Sequence, residues 1–379
     1  GLDWQEVIHG LIAEFRKRGT SVHLVGIKQY LKPESELNTL VSPYLGGDDP
    51  VFGSRTELNI DDYFHKQAIA NIRLDEGADL QIIFGCGASV SGIEGFLAYV
   101  DLPKNELQFR MRAGEITNLG FSKTKAPKQM YKHCYFVDWI VLNKAKKKLL
   151  PNIDIIVDQQ RPNNPTWMTG EALRNGLSKL SRSYFRVRPW FEPGVWGGQW
   201  IKDKITGLNQ EVPNYAWSFE MIVPENGLVF ENEGILLEVS FDMLMFHEQE
   251  NILGKAAKRF QDEFPIRFDF LDTYDGGNLS VQCHPSPNYI KDNFNENFTQ
   301  DETYYILDAE KDAEVYLGFQ NGVDPAAFRK ALEHSYRTKE LLDVEKYVQK
   351  LPAKKHDLFL IPHGTIHCSG INNMVLEIS

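Results

Sequence analysis

The chain has 379 residues, of which 42% are hydrophobic and 25% are charged. This length exceeds one ordinary core, so we expect two domains, and the composition argues against extended disorder. The 52 acidic and 41 basic side chains give a net charge of −11, which argues against a nonspecific nucleic-acid binder because surplus Lys and Arg hold phosphate backbones.

Neither the start of the chain nor its apolar runs indicate a membrane or secreted protein. No apolar run approaches the roughly 20 residues that span a bilayer, and the first residues are not a secretory signal. The four cysteines are widely spaced without a CxxC pair, which suits a reducing compartment. We therefore expect a cytoplasmic protein with neither nucleic acid nor membrane as partner, of open oligomeric state. The initial Gly1 and the strand-like end at Ser379 predict that the natural chain extends further at one or both ends.

The first half of the chain alternates between helical and strand-like patterns. The predicted helices are 4–15, 135–150 and 169–180, the last capped by Thr169, and the predicted strands are 21–27, 78–84, 96–101 and 153–158. Such alternation is typical of a parallel sheet covered by helices on both faces. We therefore predict an α/β domain of unknown role over residues 1–183, in a layout similar to that of a degenerate nucleotide kinase.

Three features of this half have both a functional and a structural interpretation. The glycine-rich segment 84–89 follows a strand and suits a phosphate cradle, but it lacks the Walker Lys, so a tight turn is favoured. Asp101 and Asp158 stand at strand ends, where α/β domains place ligands. The basic run 144–148 is interpreted as a solvated helix C-terminus.

The second half consists mainly of short strand patterns separated by Gly, Pro and Asn turns. The predicted strands are 216–223, 234–239, 279–284, 302–307, 313–318 and 357–361, with a helical insert over 324–348. Many short strands with such punctuation are typical of a sandwich or jelly roll. We predict an all-β domain over residues 184–379.

Four residues of this domain form a candidate metal site. Gln282 and His284 are two apart on a predicted strand, so their side chains leave the same face. Glu302 begins the next strand, and His367 follows a later one. One amide oxygen, one carboxylate and two imidazoles suit Zn²⁺ or another borderline divalent metal. Taken singly, each residue is more often a satisfied polar group or part of a turn.

The sequence around these residues resembles the type I mannose-6-phosphate isomerases, which are zinc enzymes of the cupin superfamily. The matching motifs occur in order over about residues 189–379. They are Pro193-Gly194-Val195-Trp196-Gly197-Gly198, Leu279-Ser280-Val281-Gln282-Cys283-His284-Pro285, Glu302-Thr303-Tyr304-Tyr305-Ile306-Leu307, and Asp357-Leu358-Phe359-Leu360-Ile361-Pro362-His363-Gly364-Thr365-Ile366-His367.

The resemblance implies a cupin domain with one zinc ion per chain, bound by Gln282, His284, Glu302 and His367. It also implies a small sugar phosphate as ligand. Two family lysines are replaced here, one by Gln300 and one by Asp269. The family's final strand, which carries a substrate-site arginine, would follow Ser379, so we expect the domain to be truncated at its C-terminus.

Three further residues are candidates for substrate binding or proton transfer. Lys291 is a candidate phosphate or substrate contact, with a surface lysine as the simpler interpretation. His363 is a candidate base, and a loop histidine that holds a carbonyl is the structural alternative. Arg267 lies on the same predicted strand face as Asp269 and is the remaining candidate.

Two functions from different classes follow from the resemblance. The first is zinc-dependent isomerisation of mannose-6-phosphate and fructose-6-phosphate. The second is a non-catalytic sugar- or sugar-phosphate-binding regulator that keeps the metal site but has lost the lysines. Turnover distinguishes the two functions, whereas metal content does not.

Overall fold

The protein is described from a computed structural model that covers residues 2, 4–161, 164–219 and 222–379. The α-helices in these residues are α1 Trp4–Lys17, α2 Glu34–Val41, α3 Lys66–Ala70, α4 Lys104–Ala113, α5 Pro127–His133, α6 Trp139–Leu149, α7 Gly170–Leu180, α8 Trp200–Lys204, α9 Asp242–Leu253, α10 Ala257–Phe260, α11 Pro287–Phe294 and α12 Pro325–Thr338. None of the helices in the described part of the chain is long and apolar enough to cross a membrane.

The strands of the described residues form five sheets. They are β1 Val22–Gly26, β2 Leu80–Phe84, β3 Ala98–Asp101, β4 Ile155–Asp158, β5 Thr166–Thr169, β6 Trp190–Glu192, β7 Trp217–Phe219, β8 Gly227–Asn232, β9 Ile235–Ser240, β10 Phe268–Asp272, β11 Glu302–Ala309, β12 Glu314–Phe319, β13 Val348–Pro352, β14 Leu358–Ile361, β15 His367–Ser369 and β16 Asn373–Ile378. The structure is therefore mixed α/β with several sheets.

The chain divides into two compact units. The first unit comprises residues 1–187, 224–264 and 293–296, and the second comprises 188–223, 265–292 and 297–379. The hairpin of β8 and β9 thus clusters with the amino-terminal residues, although the sequence placed strand 234–239 in the second domain. The predicted domain division at residues 183/184 stays a prediction.

The first unit contains parallel strand pairs but no single parallel sheet among its described residues. β1 pairs in parallel with β2, and β3 pairs in parallel with β4. β5 then runs antiparallel to β4, and β8 and β9 form a separate antiparallel hairpin. The expectation of one parallel sheet was therefore wrong: the described strands of this unit belong to three small sheets, and antiparallel pairing of β5 with β4 and of β8 with β9 leaves only the β1–β2 sheet wholly parallel.

Several charged residues in the first unit fasten its elements together. Lys146 of the basic run is buried against Asp101, with Nζ 3.2 Å from Oδ1, and the second Asp101 oxygen accepts the backbone N–H of Ser240 at 2.6 Å. Asp158 accepts the backbone N–H of Glu238 at 2.8 Å. Lys146 is therefore buried and paired, whereas the sequence predicted a solvated basic run. The pairing with Asp101 is needed because an unpaired buried ammonium group is costly.

The second unit contains two antiparallel sheets that share a buried cluster. The six-stranded sheet has the order β14-β11-β16-β10-β7-β6, and the three-stranded sheet has the order β13-β12-β15. Both sheets supply buried residues to a common cluster, for example Tyr304 and Val375 from the larger and Val315 and Cys368 from the smaller. Alternation along β11 sends Glu302, Tyr304 and Ile306 to this interior.

Three predicted elements of this unit differ from the structure. Segment 279–284 is extended but forms an isolated bridge, between Gln282 and His367, rather than a strand; its further backbone contact with β15 is the Leu279 N–H donated to the Ser369 carbonyl. The helical insert ends at Thr338, where Lys339 adopts a left-handed conformation at φ 64°. Of predicted strand 216–223, residues 217–219 form β7, and residues 220 and 221 lie outside the described residues.

Candidate metal centre

Three of the four predicted ligands converge inside the second unit. His284, Glu302 and His367 each bring one potential ligand atom to within 4.8 Å of the others. His284 Nε2 lies 2.6 Å from Glu302 Oε1, and His367 Nε2 lies 2.9 Å from Glu302 Oε2. One carboxylate therefore stands between two imidazoles, each facing a different oxygen.

Three separate elements position these side chains. Glu302 is the first residue of β11 and His367 is the first of β15, so the two sheets each contribute one group. His284 belongs to the extended segment that is tied to β15 through Gln282: the Gln282 N–H donates to the His367 carbonyl at 3.0 Å, and the His367 N–H donates back at 2.9 Å. This reciprocal pair sets the spacing of the histidines.

The hydrogen bonds of His367 determine which ring nitrogen faces the carboxylate. Its Nδ1 lies 2.8 Å from the Thr365 carbonyl oxygen, which can only accept, so Nδ1 carries the hydrogen. In the neutral ring, Nε2 then points a lone pair at Glu302. A shared cation or a second ring proton must satisfy this arrangement, and a carbonyl that holds the other ring nitrogen is typical of metal-ligating histidines.

The contact between His284 and Glu302 also favours a cation. Although His284 Nε2 is close to Glu302 Oε1, the two groups lack hydrogen-bond geometry, and this buried nitrogen has no hydrogen-bond partner. A buried nitrogen without such a partner is unfavourable unless another species satisfies it. Two imidazole nitrogens and one carboxylate match the donors that zinc takes, with room for further ligands.

The surroundings of Glu302 favour its ionised form. Burial acts to raise its pKa, yet contact with His284 and His367 outweighs burial and lowers the pKa to about 2. The Glu302 and His367 side chains are 1% and 0% exposed, whereas that of His284 is 16% exposed. Solvent therefore reaches the set on the His284 side.

Two further carboxyl groups lie beside the set on the larger sheet. Glu377 of β16 pairs in register with Asp269 of β10 on one side and with Tyr304 of β11 on the other. Burial, assisted by the charge of Glu302, raises the pKa of Asp269 to about 7. Burial and the neighbouring charges of Asp269 and Glu302 raise the pKa of Glu377 well above its usual value. This side of the site is rich in carboxyl groups.

Arg267 is linked to the set through Gln300. The guanidinium donates to Gln300 Oε1 at 3.1 Å, and Gln300 Nε2 donates to Glu302 Oε1 at 3.1 Å. Gln300 Nε2 also lies 3.1 Å from the Ser379 hydroxyl. Gln300 thus forms a neutral bridge between a guanidinium and the central carboxylate.

His363 is paired with Asp301, the residue before Glu302. Asp301 Oδ1 accepts both the backbone N–H of His363 at 2.9 Å and its ring Nδ1 at 2.7 Å. These two hydrogen bonds from His363 lower the pKa of Asp301. The next residue, Gly364, donates its N–H to the His284 carbonyl at 2.8 Å, so the loop is joined directly to a candidate ligand.

The other predicted site residues have different surroundings. Lys291 is exposed on α11, and no hydrogen bond or ion pair joins it to the other candidates within the described residues. Gln282 is half-buried, while its neighbours Val281 and Cys283 are exposed. Its amide lies near the Tyr304 hydroxyl. Burial raises the pKa of Tyr304 well above its usual value, and contact with Gln282 acts to lower it. Metal binding by Gln282 and a role for Lys291 remain predictions.

Sequence reasoning missed Asp301 and Glu377. Asp301 stands beside a predicted ligand, but its pairing with a residue 62 positions away has no local signal. Glu377 does have one: it follows the core residue Val375 by two positions on a strand, so both side chains leave the same face of the sheet. An acidic residue in phase with core residues indicates a polar interior site.

The glycine-rich turn of the first unit has a packing explanation. Gly85 and Gly87 have φ values of +117° and +91°, and a Cβ on Gly87 would come within 2.7 Å of the Phe64 ring. The 3₁₀ helix that follows, Ala88–Ser91, has only four residues. Left-handed backbone and close packing therefore account for both glycines.

Each comparison with known proteins matches about half of the chain. A family profile described as a domain of unknown function (DUF8485) matches residues 1–182. The mannose-6-phosphate isomerase ManA of Bacillus subtilis is 26% identical over 197 residues, which cover 50% of this chain and 55% of that protein. The mannose-6-phosphate isomerase of Streptococcus mutans is 26% identical over 191 residues, covering 48% and 53%. The chain thus spans about half the length of these curated relatives.

Solved structures of mannose-6-phosphate isomerases also match about half of the chain. The mannose 6-phosphate isomerase from Bacillus subtilis has a TM-score of 0.38 at 20% identity, covering 51% of this chain and 57% of that one. A mutant of the phosphomannose isomerase from Salmonella typhimurium has a TM-score of 0.38 at 12% identity, covering 51% and 66%. The sequence matches confirm the predicted resemblance over about half of the chain.

Proposed function

We propose that the protein is a zinc-dependent aldose–ketose isomerase that interconverts mannose-6-phosphate and fructose-6-phosphate. The observation that supports this proposal is the convergence of His284, Glu302 and His367. The Nδ1 of His367 donates its hydrogen to the Thr365 carbonyl, which leaves Nε2 as the ligand atom. Two curated relatives that are named mannose-6-phosphate isomerases supply the reaction. The proposal includes a cupin jelly roll over residues 184–379 and an α/β domain of unknown role over 1–183.

The donor atoms fit one zinc ion per chain. His284, Glu302 and His367 would hold it, with Gln282 as the fourth ligand. Zinc would supply a Lewis acid that polarises the oxygens on C1 and C2 of the sugar. The Thr365 carbonyl keeps the His367 ring in the required tautomer and orientation.

The remaining residues have roles that follow from their positions. Arg267, held by Gln300 beside Glu302, would stabilise negative charge that develops on a sugar oxygen. Lys291, which is exposed on α11, would bind the phosphate. His363 lies on the loop bonded to His284 and would move the proton between C1 and C2. The near-complete burial of Glu302 and His367 keeps water from one side of the reacting atoms.

The test is turnover by the complete gene product loaded with zinc. We expect fructose-6-phosphate to form from mannose-6-phosphate, and His367→Ala and Glu302→Gln to abolish its formation. His356→Gln serves as a control, because His356 is an exposed partner of Tyr305. A zinc-loaded wild-type protein that forms no fructose-6-phosphate would contradict the isomerase proposal.

A specific observation favours a second candidate, a sugar-binding regulator without catalysis. Gln300 is neutral and Asp269 is acidic at the two positions where the family has lysine, and Glu377 adds another carboxyl group. These residues offer less positive charge to a phosphate. Saturable binding of mannose-6-phosphate without any isomerisation would support this regulator over the enzyme.

A further inference from the structure

The histidine–aspartate pair at residues 363 and 301 has the geometry of an oriented base. A carboxylate only accepts hydrogen bonds, so the 2.7 Å contact between Asp301 Oδ1 and His363 Nδ1 places the ring hydrogen on Nδ1. The lone pair of the neutral ring is then on Nε2. The same oxygen also accepts the backbone N–H of His363 at 2.9 Å. One carboxylate thus fixes the backbone, the ring orientation and the tautomer of His363.

The pair is bonded to the elements that supply all three candidate ligands. Asp301 immediately precedes Glu302, and the loop that follows His363 donates the Gly364 N–H to the His284 carbonyl. Thr365 of that loop holds Nδ1 of His367 at 2.8 Å. The pair therefore lies at the rim of the ligand set.

This rim is on the accessible side of the set. His284 is the ligand with solvent exposure, 16% of its side chain, and it is the ligand whose backbone the loop contacts. The side chain of His363 is 36% exposed. His363 and His284 are therefore both accessible to solvent, and the Gly364–His284 hydrogen bond joins the segments that carry them.

We infer that His363 Nε2 is the proton-transfer atom for a sugar bound at the ligand set, and that Asp301 is its positioning residue. This inference rests on the proposed isomerase function. It assigns a role to Asp301, and it names the atom that carries the proton.

The step balances without an oxidant. The C2–H bond breaks, its proton moves to His363 Nε2, and its electron pair forms the C1=C2 bond while the carbonyl pair moves onto O1. In the second proton transfer the imidazolium returns the proton to C1, and the electron pair of the C1=C2 bond forms the new C1–H bond. The O2–H pair forms the C2=O2 bond as the O2 proton moves to O1. The first transfer requires the Nε2 lone pair within reach of the C2 hydrogen, and the second requires the Nε2–H group within reach of C1.

The first test compares turnover of zinc-loaded variants of the complete gene product. We expect His363→Gln to lower kcat by about 10²- to 10⁴-fold, the usual range for loss of a general base. Zinc content should be unchanged, and KM should move only a few-fold. Asp301→Asn should lower kcat by at least about tenfold, and Asp301→Glu should restore part of it. His334→Gln is the matched control, because His334 pairs with Glu340 on the exposed α12 side.

The second measurement reads the tautomer directly. Imidazole ¹⁵N shifts of wild-type protein should show His363 protonated on Nδ1 when neutral, and Asp301→Asn should shift the population toward Nε2–H. A purely structural role for Asp301 would change stability without changing kcat relative to KM or this tautomer.

The outcomes distinguish a failure of this inference from a failure of the isomerase proposal. If the wild type isomerises the sugar and His363→Gln keeps full kcat, the inference fails while the isomerase stands. An Asp301→Asn variant with wild-type kcat and tautomer would overturn the positioning role. If the zinc-loaded wild type has no turnover, the isomerase proposal fails and the inference fails with it.

Discussion

Asp269 is buried beside the negative charge of Glu302, so its contribution to the free energy of unfolding depends on pH. Its pKa is raised to about 7 by burial and by Glu302. Between the unfolded value near 4 and the folded value near 7, the folded state binds more protons than the unfolded state. The contribution of protonated Asp269 to the free energy of unfolding is thus fully present at low pH, and it is lost as the pH rises through this window.

We therefore predict that the free energy of unfolding of the metal-free protein falls between about pH 4 and 7, and that Asp269→Asn makes this part of the profile flatter. Urea unfolding across the pH range measures it. Glu302 contributes in the opposite sense and at lower pH, because its pKa is lowered to about 2. Identical slopes for wild type and Asp269→Asn would show that Asp269 is not responsible.

The sequence predicted site residues only where a motif surrounds them. His284, Glu302 and His367 were predicted from ordered motifs, and the structure brings all three together. Asp301 and Glu377 were not, because their relation to the set depends on pairing between strands and loops far apart in the chain. Such pairing is fixed by tertiary packing, which a single sequence does not display.

At the scale of elements, the loop before α8 approaches β10 more closely than a side chain allows. A Cβ on Gly198 would lie 2.2 Å from Asp272 Oδ1 and 2.5 Å from backbone atoms of Tyr274. Asp272 also accepts the Ile201 N–H at 2.7 Å, which ties the start of α8 to the strand.

We predict that Gly198→Ala lowers the free energy of unfolding by at least about 1–3 kcal/mol, the usual cost of overpacking. Gly277→Ala is the matched control, because its nearest contact, with Trp196, would be an ordinary 3.6 Å. Denaturant midpoints of the two variants provide the comparison. Equal midpoints would mean that the loop moves aside without cost.

The start of α7 depends on a side-chain cap. Thr169 Oγ1 accepts the Ala172 N–H at 3.1 Å, as the sequence predicted from the residue type at this position. We predict that Thr169→Ala destabilises the first unit by about 1 kcal/mol and that Thr169→Ser does not. Hydrogen exchange of the first-turn amides of α7 measures the effect. Unchanged exchange in Thr169→Ala would contradict this cap.

Element types were easier to predict than their partners. Helices α1 and α7 and strands β11 and β14 lie within a few residues of the predicted positions, because hydrophobic periodicity is a local property. The predicted single parallel sheet is instead three small sheets. Which strands pair is decided by contacts between distant segments, and these leave no periodic signal.

At the scale of the whole molecule, metal binding should be linked to folding. The ligand atoms come from two sheets and one extended segment, and the unfolded chain does not hold them together. We predict that zinc at about 100 times its Kd stabilises the folded chain by about 2.7 kcal/mol and that chelation removes this gain. Thermal unfolding with and without chelator measures the shift. An unchanged transition would exclude a zinc site that is specific to the folded state.

The two halves of the molecule differ in what they reveal about function. The ligand set belongs to the second unit, whereas the first is matched over residues 1–182 by a profile without an assigned activity. Removing the side chains of the set should therefore affect metal binding but leave the fold of the first unit unchanged, since its cores are separate.

Zinc stoichiometry tests the central claim most directly. After loading and exhaustive removal of loosely bound metal, elemental analysis should give one zinc per wild-type chain, close to none in His367→Ala and in Glu302→Gln, and one in the control His356→Gln. The same stoichiometry in wild type and His367→Ala would contradict a metal centre at His284, Glu302 and His367.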